Sequence, residues 1–193
     1  MLIPIAIILI GIAAYVISIY NLLQTVKTRI RASIQEIGNQ LKRQIDLIPN
    51  LESSVKGYLS HEKSIFKQLT DARTAIAGAA RSGGIEAAME AAGQLQKLIP
   101  AMQVIVESNP ELKANTTVVR LMDELRDTSD KVMYSRRTLI DLTADYNQKL
   151  VTFPSNLVAK MFGFKLEKGL ETPNEGEFLN VSSDEVKSPK ISL

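Results

Sequence analysis

From Leu2 to Tyr20 the chain carries no charged side chain. A helix of that run is about 28 Å long, enough for a bilayer core of about 30 Å. Residues 1–20 are therefore expected to form a transmembrane anchor, with Leu2, Ile5, Ile8, Ile12, Val16 and Ile19 holding it in lipid. A cleaved signal peptide would need Lys or Arg ahead of the apolar stretch and small residues at a cleavage site. Nothing but the amino terminus precedes the run, and the sequence from Tyr15 to Tyr20 offers no such site. Pro4 falls in the first turn, where it costs little. Tyr15 and Tyr20 suit the aromatic belt of a membrane boundary.

Beyond Tyr20 apolar residues recur at spacings of three and four, the mark of amphipathic helices. The first stripe is Leu23, Val26, Ile30, Ile34, Ile37, Leu41 and Ile45, so the anchor is expected to run into a soluble helix without a linker. Pro49 disfavours a helical Ile48 and cannot donate to the ladder, which predicts a turn at Leu47-Ile48-Pro49. A second stripe follows at Leu51, Val55, Tyr58, Ile65, Leu69, Ala72, Ile76 and Ala79, stopped by Ser82-Gly83-Gly84. The third is Ile85, Met89, Ala92, Leu95, Leu98, Met102 and Ile105, with a kink expected at Pro100 and a break at Ser108-Asn109-Pro110. The fourth is Val118, Leu121, Leu125, Val132, Leu139, Leu142, Tyr146 and Leu150, capped by Asn115 or Thr116.

No segment alternates with period two for long. The fold class is all-α: a transmembrane helix continuing into an antiparallel four-helix bundle over residues 21–168. With a turn at Pro49 the helices would be about 27, 32, 24 and 40 residues long, or about 36 to 60 Å. Four passes would bring the end of the last helix back to the membrane. If Pro49 were only a kink, one rod of about 90 Å would face much shorter partners.

Charge sets the expected orientation. Lys27, Arg29 and Arg31 follow the span, then Lys42 and Arg43, and no Lys or Arg precedes it. The positive-inside rule places the N-terminus outside and the domain in the cytoplasm, as a single-pass protein of the cell (inner) membrane. The net charge of the 193 residues is only +2, aromatics are 5%, and Trp is absent. The uncompensated positive cluster is limited to the membrane-flanking turn and has no aromatic interleaving, which argues against nucleic-acid binding. The absence of cysteine removes disulfides, thiolate zinc sites and cysteine nucleophiles.

Three of the five phenylalanines fall between Phe153 and Phe164, with Lys160, Lys165 and Lys168 alongside. Such a segment either lies in the headgroup region or caps the open bundle end with Phe153, Met161 and Phe162. From Glu171 to Leu193 five acids outweigh two lysines among turn-forming residues, so residues 169–193 read as a disordered acidic tail. Phe178-Leu179-Asn180-Val181 or Lys190-Ile191-Ser192-Leu193 could dock a partner, although solvated termini are commoner.

Several separated motifs resemble the LemA family. They are Gln40-Leu41-Lys42-Arg43-Gln44-Ile45-Asp46-Leu47-Ile48-Pro49-Asn50-Leu51, then Val55-Lys56-Gly57-Tyr58 and His61-Glu62. Asn109-Pro110-Glu111-Leu112-Lys113-Ala114-Asn115 follows, and Asp145-Tyr146-Asn147 leads to Phe153-Pro154-Ser155-Asn156-Leu157-Val158-Ala159 and Phe162-Gly163-Phe164. The resemblance covers the chain from the span to about Lys165. It implies an N-terminal anchor and a cytoplasmic helical bundle in a bacterial-type envelope, and some relatives are linked to magnetosome membranes. It implies no catalytic residue. The chain departs from the family near Ser33, where many members carry Trp, and in its tail.

The residues themselves point the same way. His61 is the only histidine. A helical zinc protease needs a second histidine at Ile65, and a di-iron bundle needs two Glu-x-x-His pairs, so neither metal site fits. Ser82-Gly83-Gly84 lacks the Gly-Lys-Ser/Thr of a phosphate loop. Asp123, Glu124, Asp127 and Asp130 interleave with Arg120, Arg126 and Lys131, the pattern of a solvated face. Arg136 and Arg137 pair with Asp141 and Asp145 or bind a partner, and Asn50 and Asn156 are expected to cap helix starts. The expectation is a non-enzymatic scaffold or adaptor without cofactor, whose partners are the bilayer and membrane or cytoplasmic proteins, self-association included. The alternative is a lipid-contacting or membrane-remodelling protein acting through the Phe-rich segment.

Overall fold

The computed structural model describes residues 2–56, 63–82 and 84–170. Helix α1 spans Leu2–Val55, α2 Lys63–Ser82, α3 Ile85–Ser108, α4 Pro110–Ala114, α5 Thr116–Val151 and α6 Ser155–Met161. No strand occurs among the described residues. The most extensive pairing is α1 with α5, followed by α2 with α3; α1 with α2 and α3 with α5 complete the ring. This is the expected helical bundle, built on an N-terminal apolar helix.

The turn expected at Pro49 is absent. Pro49 lies inside α1, which runs for 54 residues, about 81 Å. An interior proline costs about 3 kcal/mol, because one hydrogen bond is lost and its ring crowds the carbonyl four residues back. Leu47, Ile48, Leu51 and Val55 are all buried here, and each contributes about 1.5–3 kcal/mol. Burial wins. Asn50 does not cap a helix start either: it sits mid-helix, and its Nδ2 donates to the Asp46 carbonyl at 3.1 Å. The chain leaves α1 after Val55, so Leu51 and Val55 belong to α1 rather than to the second helix.

The other stops follow the sequence. Helix α2 ends at Ser82, and Gly84 is the N-cap of α3, which continues through Pro100. Asn109 Oδ1 accepts from the amides of Glu111 and Leu112 at the start of α4. Asn115 Oδ1 does the same for Thr117 and Val118 at the start of α5. Two of the four amides left free at each helix start are thereby satisfied.

The stripes form one core. Leu23, Ile37, Leu69, Ile76, Leu95, Leu125 and Tyr146 are among its fully enclosed members. Among the described stripe positions Ile34 is the exception, 42% exposed on the outer side of α1. Between α1 and α5 the core carries one polar contact, Gln44 Nε2 donating to Ser129 Oγ at 3.0 Å. Arg43 pairs with Glu124 at 2.5 Å on the rim. Earlier on α1, Arg29, Ala32, Ser33 and Glu36 lie beside Tyr134, Ser135, Thr138 and Leu142, so α1 and α5 run antiparallel.

Helices α2 and α3 are shorter than the paired part of α1 and α5. Near the apolar segment their place is taken by residues 162–170, which turn back after α6. Gly163 makes that reversal at φ +70°, a left-handed conformation that favours glycine. Phe164 and Leu170 pack on the core. A Cβ at Gly169 would lie 3.2 Å from Thr143 Cγ2, so this strap lies close against α5. Lys168 reaches Glu86 of α3 at 3.6 Å.

Candidate functional site

The feature with chemical character lies where α5 ends beside the apolar part of α1. Helix α5 stops at Val151, and a short turn containing the cis Phe153-Pro154 bond leads into α6. Ser155 Oγ lies 2.7 Å from the Lys149 carbonyl and 2.9 Å from that of Thr152, so its single proton serves an acceptor left at the helix end. Pro154 occupies the N-cap of α6, and the expected cap Asn156 lies inside the helix instead. Ser155, Val158 and Ala159 point inward, spaced three and four apart as a helix requires.

The opposite face of α6 is the unusual one. Leu157 and Met161 are 58% and 63% exposed, and Phe153 beside them is 75% exposed. Lys160 within the helix and Lys165 just after it are exposed as well. Phe162 packs on Tyr20 with ring centroids 4.8 Å apart, and Phe164 meets the same ring at 5.7 Å. Of the expected bundle cap only Phe162 packs inward, joined on Tyr20 by Phe164, whereas Phe153 and Met161 are exposed.

Tyr20 marks a boundary along α1. Leu2, Ile5, Ile8 and Ile12 are each more than half exposed, whereas Val16, Ile19 and Tyr20 are half-buried. Residues 2–55 form the single described helix long and apolar enough to cross a membrane. The most apolar stretch of that helix has no cover within the protein. An N-terminal helix of this kind suggests a membrane anchor.

Above the clasp lies a polar cluster. Lys27 pairs with Glu167 at 2.9 Å. Asn147 holds the same strap residue twice, its Nδ2 donating to the Glu167 carbonyl and its Oδ1 accepting from the Glu167 amide. Tyr146 is enclosed beneath, its hydroxyl without a protein hydrogen-bond partner. Burial raises its pKa above the usual 10.0; Lys27 pulls the other way and Glu167 adds to the rise. Arg29 and Arg31 are exposed, Arg29 beside a shallow groove with Glu36 and Tyr134.

The motif residues thus separate by place. Leu47, Ile48, Pro49, Asn50 and Leu51 lie at the distal end of α1, whereas Tyr146, Asn147, Phe153, Pro154, Ser155, Asn156, Leu157, Phe162, Gly163 and Phe164 lie at the other end of the bundle, at the close of α5, in α6 and in the turn that follows it. Asp123, Asp127 and Asp130 of α5 are exposed, with Asp123–Arg126 and Asp127–Lys131 pairs, whereas Glu124 departs from the expected solvated face by pairing with Arg43 of α1. Asp145 pairs with Lys149 rather than with Arg136 or Arg137. His61, Tyr58 and both tail motifs lie outside the described residues. The partnership of Tyr20 and Asn147 with residues 162–167 was not apparent from sequence: its members are far apart in the chain, and only the place of Tyr146-Asn147 in a family-like motif hinted at it.

The model of the LemA family matches residues 33–182, more than half of the 193-residue chain. The match begins within α1 beyond the apolar segment and covers every later helix and the strap. A search against curated proteins returned no match.

Proposed function

The chain belongs to the LemA family, and from that premise we propose that it is a membrane-anchored scaffold, a rigid helical strut that holds a protein-binding surface at a fixed height above the cytoplasmic face. The observation that carries this reading is the continuity of α1 from Leu2 to Val55. No linker separates the apolar segment from the domain, and α5 lies antiparallel along the same helix. A bundle joined in this way cannot swing about its anchor as one on a flexible tether would.

The rise from Tyr20 to Val55 is about 52 Å. At that distal end α3, α4 and α5 enclose a groove of about 320 Å³, lined by Ile99, Gln103, Val106, Lys113, Val119 and Met122. Val104 stands nearby, 64% exposed. These are surfaces a partner segment could use, and the role needs neither catalytic residues nor a cofactor. Lys27, Arg29 and Arg31 support a cytoplasmic domain by the positive-inside rule.

A photoreactive residue at Val104 or Val119 in the native cell tests the reading. A discrete protein adduct is expected, moving from the membrane to the soluble fraction when residues 2–20 are removed. No adduct at either position, or an adduct indifferent to the anchor, would contradict it.

A further inference from the structure

We propose that the outward face of α6 is a second membrane contact, which docks on anionic phospholipid headgroups beside the anchor. This goes beyond the scaffold reading and requires only that residues 2–20 cross the bilayer. Its starting point is the Tyr20–Phe162 contact at 4.8 Å. A span of about 28 Å places Tyr20 at the edge of the hydrocarbon core, and whatever touches that ring shares its depth. Phe162 and Phe164 are thereby set at the membrane boundary, and α6 with them.

The face that α6 presents at this depth has the composition such a position requires. Phe153, Leu157 and Met161 are exposed large apolar side chains on a fold whose stripes are otherwise mostly covered. Leu157 and Met161 are one turn apart on the same side, and Lys160 lies between them. Lys165 follows after the reversal at Gly163. Apolar side chains entering the headgroup layer, flanked by lysines, form an interfacial contact that anionic lipid strengthens. The adjacent anchor fixes the occupant, because a bilayer is what lies beside Tyr20. The same contact explains the clasp: with α6 seated on lipid and Phe162 and Phe164 held by Tyr20, the bundle is fixed at two points and stands upright.

The test uses the full chain, free of native cysteine, reconstituted into vesicles of phosphatidylcholine alone or mixed with about a third phosphatidylglycerol. An environment-sensitive dye is placed at Leu157→Cys, with Ile8→Cys in the anchor and Ser108→Cys at the distal end as references. Dye at residue 157 should be quenched by lipid-borne nitroxide, as at residue 8, while dye at 108 should be quenched by aqueous iodide. Lys160→Glu with Lys165→Glu should lower the ratio of lipid-seated to free α6 in phosphatidylglycerol vesicles about fivefold for each lysine removed, with little change in phosphatidylcholine. Iodide quenching at 157 equal to that at 108, with 8 still in lipid, overturns the proposal. So does shielding of 157 from both quenchers, which would mean a protein surface, such as a second copy, covers α6. Iodide quenching at residue 8 would remove the crossing itself, and the proposal with it.

Discussion

Lys27 Nζ stands 2.9 Å from a carboxylate oxygen of Glu167, joining the first polar turns of α1 to the strap that follows α6. Both side chains are partly exposed, so the pair contributes at most about 1 kcal/mol. The stronger hold on the strap is Asn147, which makes two hydrogen bonds to the Glu167 backbone. Asn147→Ala should therefore destabilise the strap by about 1–3 kcal/mol, and Lys27→Ala by less. Hydrogen exchange at the Glu167 amide checks the ranking: the amide should exchange faster in both variants, with Asn147→Ala the larger effect.

Buried apolar positions should behave as core. Leu69 is fully enclosed and Leu139 is 3% exposed, so truncation of either to Ala should cost about 2–5 kcal/mol. Ile34→Ala, on an exposed position of the first stripe, should stay within about 0.5 kcal/mol. Denaturant unfolding of a fragment from Tyr20 to Leu170 provides the comparison. Equal costs at Ile34 and Leu69 would mean that the face of α1 is wrongly assigned.

The Gln44–Ser129 hydrogen bond crosses the α1–α5 interface out of contact with solvent. Ser129→Ala strands the Gln44 amide and should cost about 1–3 kcal/mol. Gln44→Leu in the same background should recover most of that loss, because no buried donor is then left unpaired. A double-mutant cycle should therefore give a clear coupling energy; strict additivity would contradict the pairing.

Much of this architecture was legible in the residue pattern, and the exceptions have physical causes. The fourth stripe, Val118 to Leu150, lies on the buried side of α5, with Leu142 partly covered, because a long amphipathic period leaves one choice of face. The breaks at Ser82 and Asn109 were legible for local reasons: glycine freedom at one and an asparagine cap with proline behind it at the other. Pro49 misled because its local cost is real, whereas the burial of Ile48 and Leu51 that outweighs it comes from distant parts of the chain. Tyr20 as a platform for Phe162 was hidden for the same reason. A sequence shows that a ring suits a membrane edge, but the return of α5 decides which ring it meets.

Tyr146 gives the fold an alkaline signature. Its folded pKa lies above 10.0, so the unfolded chain loses the phenolic proton first as pH rises. Stability from this group is complete below about pH 10 and declines as pH climbs from there toward the folded pKa. Tyr146→Phe should flatten that decline, and at neutral pH it should cost under about 1 kcal/mol, because the hydroxyl makes no protein hydrogen bond. Unfolding free energies measured from pH 8 upward should show the two curves separating above pH 10; parallel curves would mean the phenol is not protected.

Anchor and bundle form one rigid rod, and the height of the distal end above the membrane reports on that joint. A donor dye at Ser53→Cys, near the distal end of α1, is read by energy transfer to acceptors in the lipid headgroups of a vesicle holding the full chain. An unbroken helix puts residue 53 about 50 Å above Tyr20, or slightly less with an ordinary tilt of about 20°. A single narrow height near that value is expected, retained across membranes of different charge. A height under about 25 Å, or a broad spread reaching down to the surface, would show a bundle that bends or lies flat on its anchor, in contradiction to a continuous α1.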